Sequence, residues 1–237
     1  MVDASHFVPQ SRERLFVIGV QSDPVLSVMA EQPGFYQSGL RPKVLADFIL
    51  THPAIKWSIR SLPNPPATEK TLRDILEDLD DEAPEWWSGP RTEYLLDQMS
   101  PKHLDIAEKM IEGSGWSYGT VFRRVRTRNG IKKSMAELRT DGVAGCLRTP
   151  RGGSGRQILF KAGNGSYRAS LLTPRECARL MGADDYNITA PQNQALFGFG
   201  DAVCVSVIEW IAKHYLNPLI AELLRGRALP SVSTYKG

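Results

Sequence analysis

The alternation of hydrophobic and polar residues divides the chain into four parts. Residues 15–20, with the sequence LFVIGV, are a short apolar run that predicts a buried strand. The part that follows, up to residue 120, is mixed. Within it, residues 68–82 and 91–113 carry helical patterns and are separated by proline-rich and turn-forming sequence.

Residues 120–168 alternate short apolar pieces with glycines and basic residues. The tripeptides RNG (128–130) and GNG (163–165) are typical of tight turns that join paired strands. The third part therefore predicts twisted antiparallel strands and loops.

Helical signals dominate from residue 173 onward. Thr173 is placed to cap a helix whose first position is Pro174, and Glu176 completes a capping box. Gly182 is placed to end this helix.

A second helix in this part is expected to begin at Asp201, which would cap it, and Pro218 would end or kink it. An apolar stripe along it is formed by Val203, Val207, Ile208 and Ile211.

Composition indicates an ordinary globular chain of one large or two small domains, with 237 residues, 42% hydrophobic and 23% charged. We expect no membrane partner, because no apolar run reaches the roughly 18 residues of a membrane span, and the N-terminus lacks the pattern of a signal peptide. Three dispersed cysteines and four scattered histidines predict no metal site. These features favour a reduced, cytosolic protein.

Charge is distributed unevenly although the net charge is only +3. Residues 21–120 hold 9 lysines and arginines against 16 acidic residues, whereas residues 121–180 hold 14 against 3. A dense basic stretch with many glycines favours a polyphosphate partner, and nucleic acid is the commonest one. The alternative is a basic surface without a partner.

Two arginines precede the predicted strand in the segment VPQSRERLFVIGV, residues 8–20. On an extended backbone, Gln10, Arg12 and Arg14 share one face while Glu13 lies on the other. Such a pair of cations favours an anionic partner. An internal salt bridge or an exposed sheet edge would explain it equally well.

Three segments resemble elements of one enzyme family, the DNA cytosine-5 methyltransferases. VPQSRERLFVIG (8–19) resembles motif VIII, the Gln-x-Arg-x-Arg element, and RASLLTPRECARLMGADD (168–185) resembles motif IX. NQALFGFGDAVCVSVIEWIA (193–212) resembles motif X, although GDAV replaces the usual Gly-Asn-Ser-Val. The motifs follow the family order and cover the chain up to about residue 216. About 150 residues lie between the first two, where the family keeps its target recognition domain.

The resemblance implies a mixed α/β fold, with a remnant of a Rossmann-like methyltransferase sheet and a small mixed α+β recognition domain. Residues 1–20 would be the motif VIII strand, and residues 21–168 the recognition domain. Residues 169–192 would be a linking helix, and residues 193–237 motif X with the C-terminal helices.

Three other family motifs are absent from the sequence: Phe-x-Gly-x-Gly for S-adenosylmethionine, Pro-Cys-Gln for the nucleophile, and Glu-Asn-Val for the catalytic glutamate. We therefore expect the C-terminal subunit or a fragment of such an enzyme, inactive alone, whose strand at 15–20 joins a parallel sheet from another polypeptide. Its partners would be double-stranded DNA and an N-terminal methyltransferase subunit. The setting would be a prokaryotic cytoplasm, in a restriction-modification system.

The family's chemistry assigns roles to residues of this chain by resemblance. The target base must be flipped out of the duplex. Arg14 would contact the flipped cytosine or its sugar-phosphate, and Arg12 and Gln10 would support that contact. S-adenosylmethionine would lie beside Gly200, Asp201, Ala202 and Val203, although most of its site would come from the missing part. Asp201 would alternatively be a helix cap only.

The recognition region offers two groups of candidate DNA contacts. Arginine can read guanine bidentately, glutamine can read adenine, and glycines let a loop approach the bases. Cys146 and Leu147 take the place of a Thr-Leu-like pair of the family. Base-reading candidates lie in the loop that follows: Arg148, Thr149, Arg151, Gly152, Gly153, Arg156 and Gln157. The candidates for phosphate contacts are Arg123, Arg124, Arg126 and Arg128. Alternatively, these arginines would form a solvated strand face.

Two other functions remain compatible with the sequence. One is a stand-alone, sequence-specific DNA-binding or regulatory module. The other is an inactive methyltransferase remnant that acts only through protein contacts. A neighbouring reading frame with the three absent motifs would favour the split enzyme over both.

Overall fold

A computed structural model of the protein describes residues 1–20, 37–128, 130–149 and 155–227. The chain divides into two compact units. The smaller unit comprises residues 1–2, 14–65 and 207–237, and the larger unit comprises residues 3–13 and 66–206. The predicted mixed α/β class is confirmed, whereas the Rossmann-like assignment and the four domain boundaries remain predictions.

A four-stranded antiparallel sheet, in the order β4-β3-β5-β6, organises the larger unit. Its strands are β3 (Ser117–Arg128), β4 (Ile131–Arg139), β5 (Gln157–Gly163) and β6 (Ser166–Leu171). The predicted antiparallel strands are thus confirmed. The GNG turn joins neighbouring strands, and its Asn164 and Gly165 adopt positive φ angles of 55° and 74°, as a tight hairpin requires. The predicted RNG turn includes Asn129, which lies outside the described residues.

One face of this sheet carries the core of the larger unit. Val121, Ile158 and Phe160 are fully buried there and belong to one apolar cluster with Leu95 and Ala107. The last two residues come from helices α3 (Gly89–Asp97) and α4 (Pro101–Glu112). Residues 91–113 are therefore helical as predicted, but a break precedes Pro101, because proline cannot continue a helix from the preceding turn.

The helix predicted at 68–82 is wrong beyond its first turn, because α2 covers only Leu72–Ile75. The backbone is already extended at Leu76, with ψ 145°. The following residues are mostly acidic, and like charges three or four positions apart destabilise a helix. The amide of Glu77 instead donates to Oε1 of Glu176 at 3.0 Å.

Helix α5 (Pro174–Leu180) begins as predicted. The Thr173 hydroxyl accepts from the Glu176 amide at 3.1 Å, and the Glu176 carboxylate accepts from the Thr173 amide at 2.8 Å. Gly182 follows the helix with φ 68°, the left-handed conformation expected beyond a helix end. Cys177 is buried on this helix.

Two carboxylates, of the buried Glu176 and the half-buried Glu77, join α5 to the segment after α2. Oε2 of Glu77 accepts from the Thr173 hydroxyl at 2.5 Å, and Glu176 is fully buried. Burial raises the pKa of Glu176 to about 7, and the nearby Glu77 carboxylate adds to the rise. Hydrogen bonds from the Thr173 and Glu77 amides, and the charge of Arg179, oppose it.

We expect the Glu176→Gln variant to gain stability relative to the wild type as pH rises from about 4.5 to 7. Across that range the folded protein keeps a proton that the unfolded chain releases, so the wild type loses up to about 3 kcal/mol. Urea unfolding of both proteins at several pH values measures the difference. As a control, Glu77→Gln should lower the pKa of Glu176 and shift the pH range of this stability change to lower pH. If the difference in unfolding free energy between wild type and Glu176→Gln were the same at pH 5 and pH 8, the raised pKa of Glu176 would be contradicted.

Two further helices follow in the chain, α6 (Gln192–Asp201) and α7 (Val205–Ile211). Asp201 is the last residue of α6, so the prediction that it caps the next helix is wrong. The apolar stripe is confirmed only in part, because Val207 and Ile211 are buried but Val203 and Ile208 are exposed. Periodicity placed all four on one helix, whereas the chain turns at residues 202–204.

The smaller unit contains α1 (Lys43–Thr51) and α8 (Asn217–Arg227). A π-helical turn, Ala212–Leu216, precedes Pro218, and such a turn accommodates the missing proline amide. Pro218 therefore distorts the helix rather than ending it. Arg60 and Glu222 form a bidentate ion pair with distances of 2.9 and 2.6 Å within this unit.

Within Gln192–Arg225, one window of 18 residues has a mean hydropathy of 1.6 and is long enough to cross a membrane. The expectation that no apolar run reaches this length is therefore wrong. Core helices of soluble proteins meet the same criterion, and 39% of the apolar window is buried within the protein.

The strand predicted at 15–20 is also wrong for the described residues. Regular strand structure in this region is limited to β1 (Val2–Asp3) and β2 (Glu13–Arg14). Residues 15–20 form neither a strand nor a helix, and Leu15 and Val17 are 54% and 80% exposed. A strand needs a hydrogen-bonding neighbour, which an apolar sequence does not itself supply.

Candidate nucleic-acid interface

Gln10 lies at the centre of the larger unit and is fully buried. Its Nε2 donates to the Leu180 carbonyl at 2.7 Å, at the end of α5, and its Oε1 accepts from the Leu147 amide at 3.0 Å. The backbone beside it pairs with Ala144, because the Ala144 amide donates to Pro9 at 2.8 Å. The side chain therefore holds the segment after β4 against α5.

Arg12 continues this arrangement and is 5% exposed. Its guanidinium donates to the Leu147 carbonyl at 2.7 Å, the Ala202 carbonyl at 2.5 Å and the Gly200 carbonyl at 3.3 Å. We call residues 146–156, which hold most of the candidate base contacts, the recognition loop. The Arg12 side chain thus joins the start of this loop to the end of α6. Gln10 and Arg12 together form what we call the brace.

Arg14 differs from both residues because its side chain is exposed. It follows the brace in sequence and lies in β2. Of the three residues predicted to act at the catalytic centre, only Arg14 has an exposed side chain. Gln10 and Arg12 are buried and support main-chain segments. A catalytic contribution of Gln10, Arg12 or Arg14 remains a prediction.

The predicted cofactor residues 200–203 lie next to the recognition loop. Gly200 is buried, and a Cβ atom added there would come within 2.4 Å of the Arg148 carbonyl carbon and 2.5 Å of the Thr149 nitrogen. Only glycine permits this approach of two backbones. Asp201, Ala202 and Val203 are exposed.

The predicted phosphate contacts of β3 lie on both faces of the strand, since alternate side chains point to opposite sides. Arg124 and Arg126 are exposed, and both pair with Glu137 of β4, at 3.0 and 3.4 Å. Arg123 is half-buried. Burial lowers the pKa of Arg91, and the positive charge of Arg123 adds to this lowering. The Arg128 side chain lies outside the described residues.

The predicted base contacts are only partly brought together. Arg148 is exposed, and its guanidinium lies 5.6 Å from the centre of the Phe122 ring. Gln157 is buried and donates to the Cys146 carbonyl at 3.4 Å. Arg156 donates to Oδ1 of Asn193 at 2.8 Å, and Thr149 is half-buried. Arg151, Gly152 and Gly153 lie outside the described residues.

Residues 1–217 match the family described as C-5 cytosine-specific DNA methylase. The chain belongs to this family. The match ends within one residue of the point to which the three motifs extend, so the family assignment made from them is confirmed.

Two curated relatives of this chain are named DNA-cytosine methyltransferase, from Escherichia coli strains K12 and O157:H7. Each is 27% identical to it over 232 residues. The alignment covers 94% of this chain but 41% of either relative, so the chain spans less than half of their length.

Phe122 and Glu137 were not identified as candidate site residues from the sequence. Phe122 stands between runs of arginines and was counted only as part of an apolar alternation. Glu137 is one of few acidic residues in the basic segment, which was a usable signal. Its position opposite Phe122 depends on the register of β3 and β4.

Proposed function

We propose that this chain supplies the DNA-recognising part of a DNA cytosine-5 methyltransferase, and that the nucleophile and most of the methyl-donor site come from sequence outside it. Family membership carries this proposal. The absence of the Pro-Cys-Gln, Phe-x-Gly-x-Gly and Glu-Asn-Val motifs supports the second part. We call the polypeptide that would carry these three motifs the complementary polypeptide, and seek it in a neighbouring reading frame.

This chain and the complementary polypeptide would contribute different functional groups to the reaction. In the family, a cysteine thiolate attacks carbon 6 of the flipped cytosine and a glutamate steadies N3. Both groups would lie in the complementary polypeptide. Arg14 of this chain would orient the flipped base or its sugar-phosphate, because its exposed guanidinium can donate several hydrogen bonds in a fixed geometry.

S-adenosylmethionine would supply the methyl group that carbon 5 receives. Two exposed side chains of this chain fit contacts to it, the carboxylate of Asp201 for an ammonium or hydroxyl group and the apolar Val203 for packing. Gly200 is closed off by the recognition loop, and the Ala202 carbonyl accepts from Arg12. Gly200 and Ala202 would therefore support the backbone of the cofactor site.

The complementary polypeptide would also cover apolar surface of the smaller unit. Leu15, Val17, Ile18 and Val20 are 37 to 80% exposed in the segment that was predicted as a buried strand. Such a segment can add to a sheet supplied by another chain. The assembled enzyme would then contain the Rossmann-like parallel sheet, and we propose a cytoplasmic restriction-modification enzyme.

Duplex binding tests the DNA-recognition part of the proposal. The basic segment should give an affinity that falls steeply with salt, with a slope of about −0.9 per phosphate neutralised. Arg126→Ala should weaken binding evenly over all sequences, whereas Arg148→Ala should relax the preference at one base pair by about 1–3 kcal/mol. Competition among randomised duplexes separates the two outcomes. Identical behaviour of the two variants would refute this division of roles.

A further inference from the structure

A cleft of about 250 Å³ lies beside the outer face of the sheet in the larger unit. It is bounded by strands β3, β4 and β5 and by the start of the recognition loop. Its lining residues include Phe122, Arg124, Glu137, Arg148, Gln157 and His103. A volume of this size admits one planar group but not a duplex, whose major groove alone is about 12 Å wide.

The wall of the cleft combines an aromatic ring with two cations. The guanidinium carbons of Arg124 and Arg148 lie 5.3 and 5.6 Å from the centre of the Phe122 ring. Phe122 is only half-buried. Aromatic rings and guanidinium planes are the surfaces on which unstacked bases stack in proteins that bind single strands.

A carboxylate in the same cleft restricts the ligand further. Glu137 lies opposite Phe122 in the sheet and contacts Arg124 at 3.0 Å. Its oxygens can accept hydrogen bonds from a group with N–H donors, which a phosphate diester lacks. The ligand must therefore carry donors for Glu137 and acceptors for the arginines.

Gln157 and His103 add polar groups to the cleft. Gln157 is buried, and its amide is so close to Gly145 that a Cβ atom there would lie 2.7 Å from Nε2. Nδ1 of His103 is buried and has no hydrogen-bond partner among the described residues. Amide and imidazole groups hydrogen-bond base edges and would complete the recognition of one base.

We propose that this cleft binds one unstacked guanine of the DNA. Guanine offers N7 and O6 as acceptors for an arginine, together with an amino group that Glu137 can accept from. This inference rests on the proposed function, since it names a second base-binding position on the surface proposed to recognise DNA. Phe122, Glu137 and Arg148 then determine specificity.

Binding of short oligothymidylates with one central test base, measured by fluorescence anisotropy with the full chain, tests the proposal. The test bases are guanine, 7-deazaguanine, hypoxanthine, adenine and cytosine. Guanine should bind best. Removing N7 or the amino group should each weaken binding by about 5-fold or more, the lower limit for a bidentate base contact.

Three variants locate the effect in the cleft. Glu137→Gln should abolish discrimination between guanine and hypoxanthine but keep that between guanine and 7-deazaguanine. Phe122→Leu retains an apolar side chain and should weaken binding of every test base by about 5-fold or more through lost stacking. Lys133→Ala, an exposed control on β4 outside the cleft lining, should leave base preference unchanged.

Equal affinity for all five bases, or preference for another base, would overturn the inference. If duplex binding remained salt-dependent in that case, the proposed function would still stand. A chain that binds neither the oligonucleotides nor duplex DNA would overturn both.

Discussion

The Arg12→Ala variant is expected to lose about 3 kcal/mol or more of unfolding free energy and to release the recognition loop. Three buried or partly buried carbonyls, of Leu147, Gly200 and Ala202, lose a charged donor together. Hydrogen bonds to charged groups contribute about 1.5–3 kcal/mol each, and buried acceptors left without a donor add a desolvation cost. Urea unfolding measures the loss, and amide hydrogen exchange at residues 144–149 reports the loop.

Two matched variants control this experiment. Arg12→Lys keeps the charge but replaces a planar fork by a single ammonium, so it should recover only part of the stability. Arg156→Ala removes an arginine with one side-chain hydrogen bond, to Asn193, and should cost below about 1 kcal/mol. Equal effects of Arg12→Ala and Arg156→Ala would show that the brace is not a principal support.

The Arg14→Ala variant is expected to lower single-turnover methyl transfer by the assembled enzyme by about 100-fold, while duplex affinity changes little. The exposed Arg14 would contact the flipped base rather than the duplex, so its loss acts on the reacting complex. Loss of one positioned hydrogen-bond donor at a reacting centre costs about 100-fold or more in rate. Arg14→Lys should also be slow, because an ammonium cannot form a bidentate contact.

Rate and affinity must be measured on the same preparations. Lys43→Ala, which removes an exposed cation of α1 that pairs with Asp47, should change neither value. An unchanged methyl-transfer rate in Arg14→Ala would exclude Arg14 from the reacting centre. A parallel loss of duplex affinity would instead identify it as a phosphate contact.

Features that depend on neighbouring residues could be predicted from the sequence. The capping box of Thr173 and Glu176 involves residues three positions apart, and the GNG turn fixes its own backbone. The antiparallel strands and the family motifs could also be recognised, because each lies in a continuous segment of the sequence. Local sequence thus predicted the start of α5 and the hairpins of the recognition region.

Features that depend on distant residues could not be predicted. Arg12 contacts Leu147 and Ala202, which are 135 and 190 residues away, so its burial could not be inferred from strand alternation. The placement of Glu137 against Arg124 requires the strand register. Residues 15–20 are apolar enough for a strand, but strand formation depends on a neighbour that the described residues do not provide.

The proposed function is tested most directly by transfer of labelled methyl groups from S-adenosylmethionine to cytosine in duplex DNA. The reaction is run with this chain alone, with the complementary polypeptide alone, and with both together. Methylation is expected only when both polypeptides are present, and Arg148→Ala should alter the site preference. Methylation by this chain alone above a mock preparation, or a mixture that associates and binds DNA but transfers no methyl group, would contradict the proposed function.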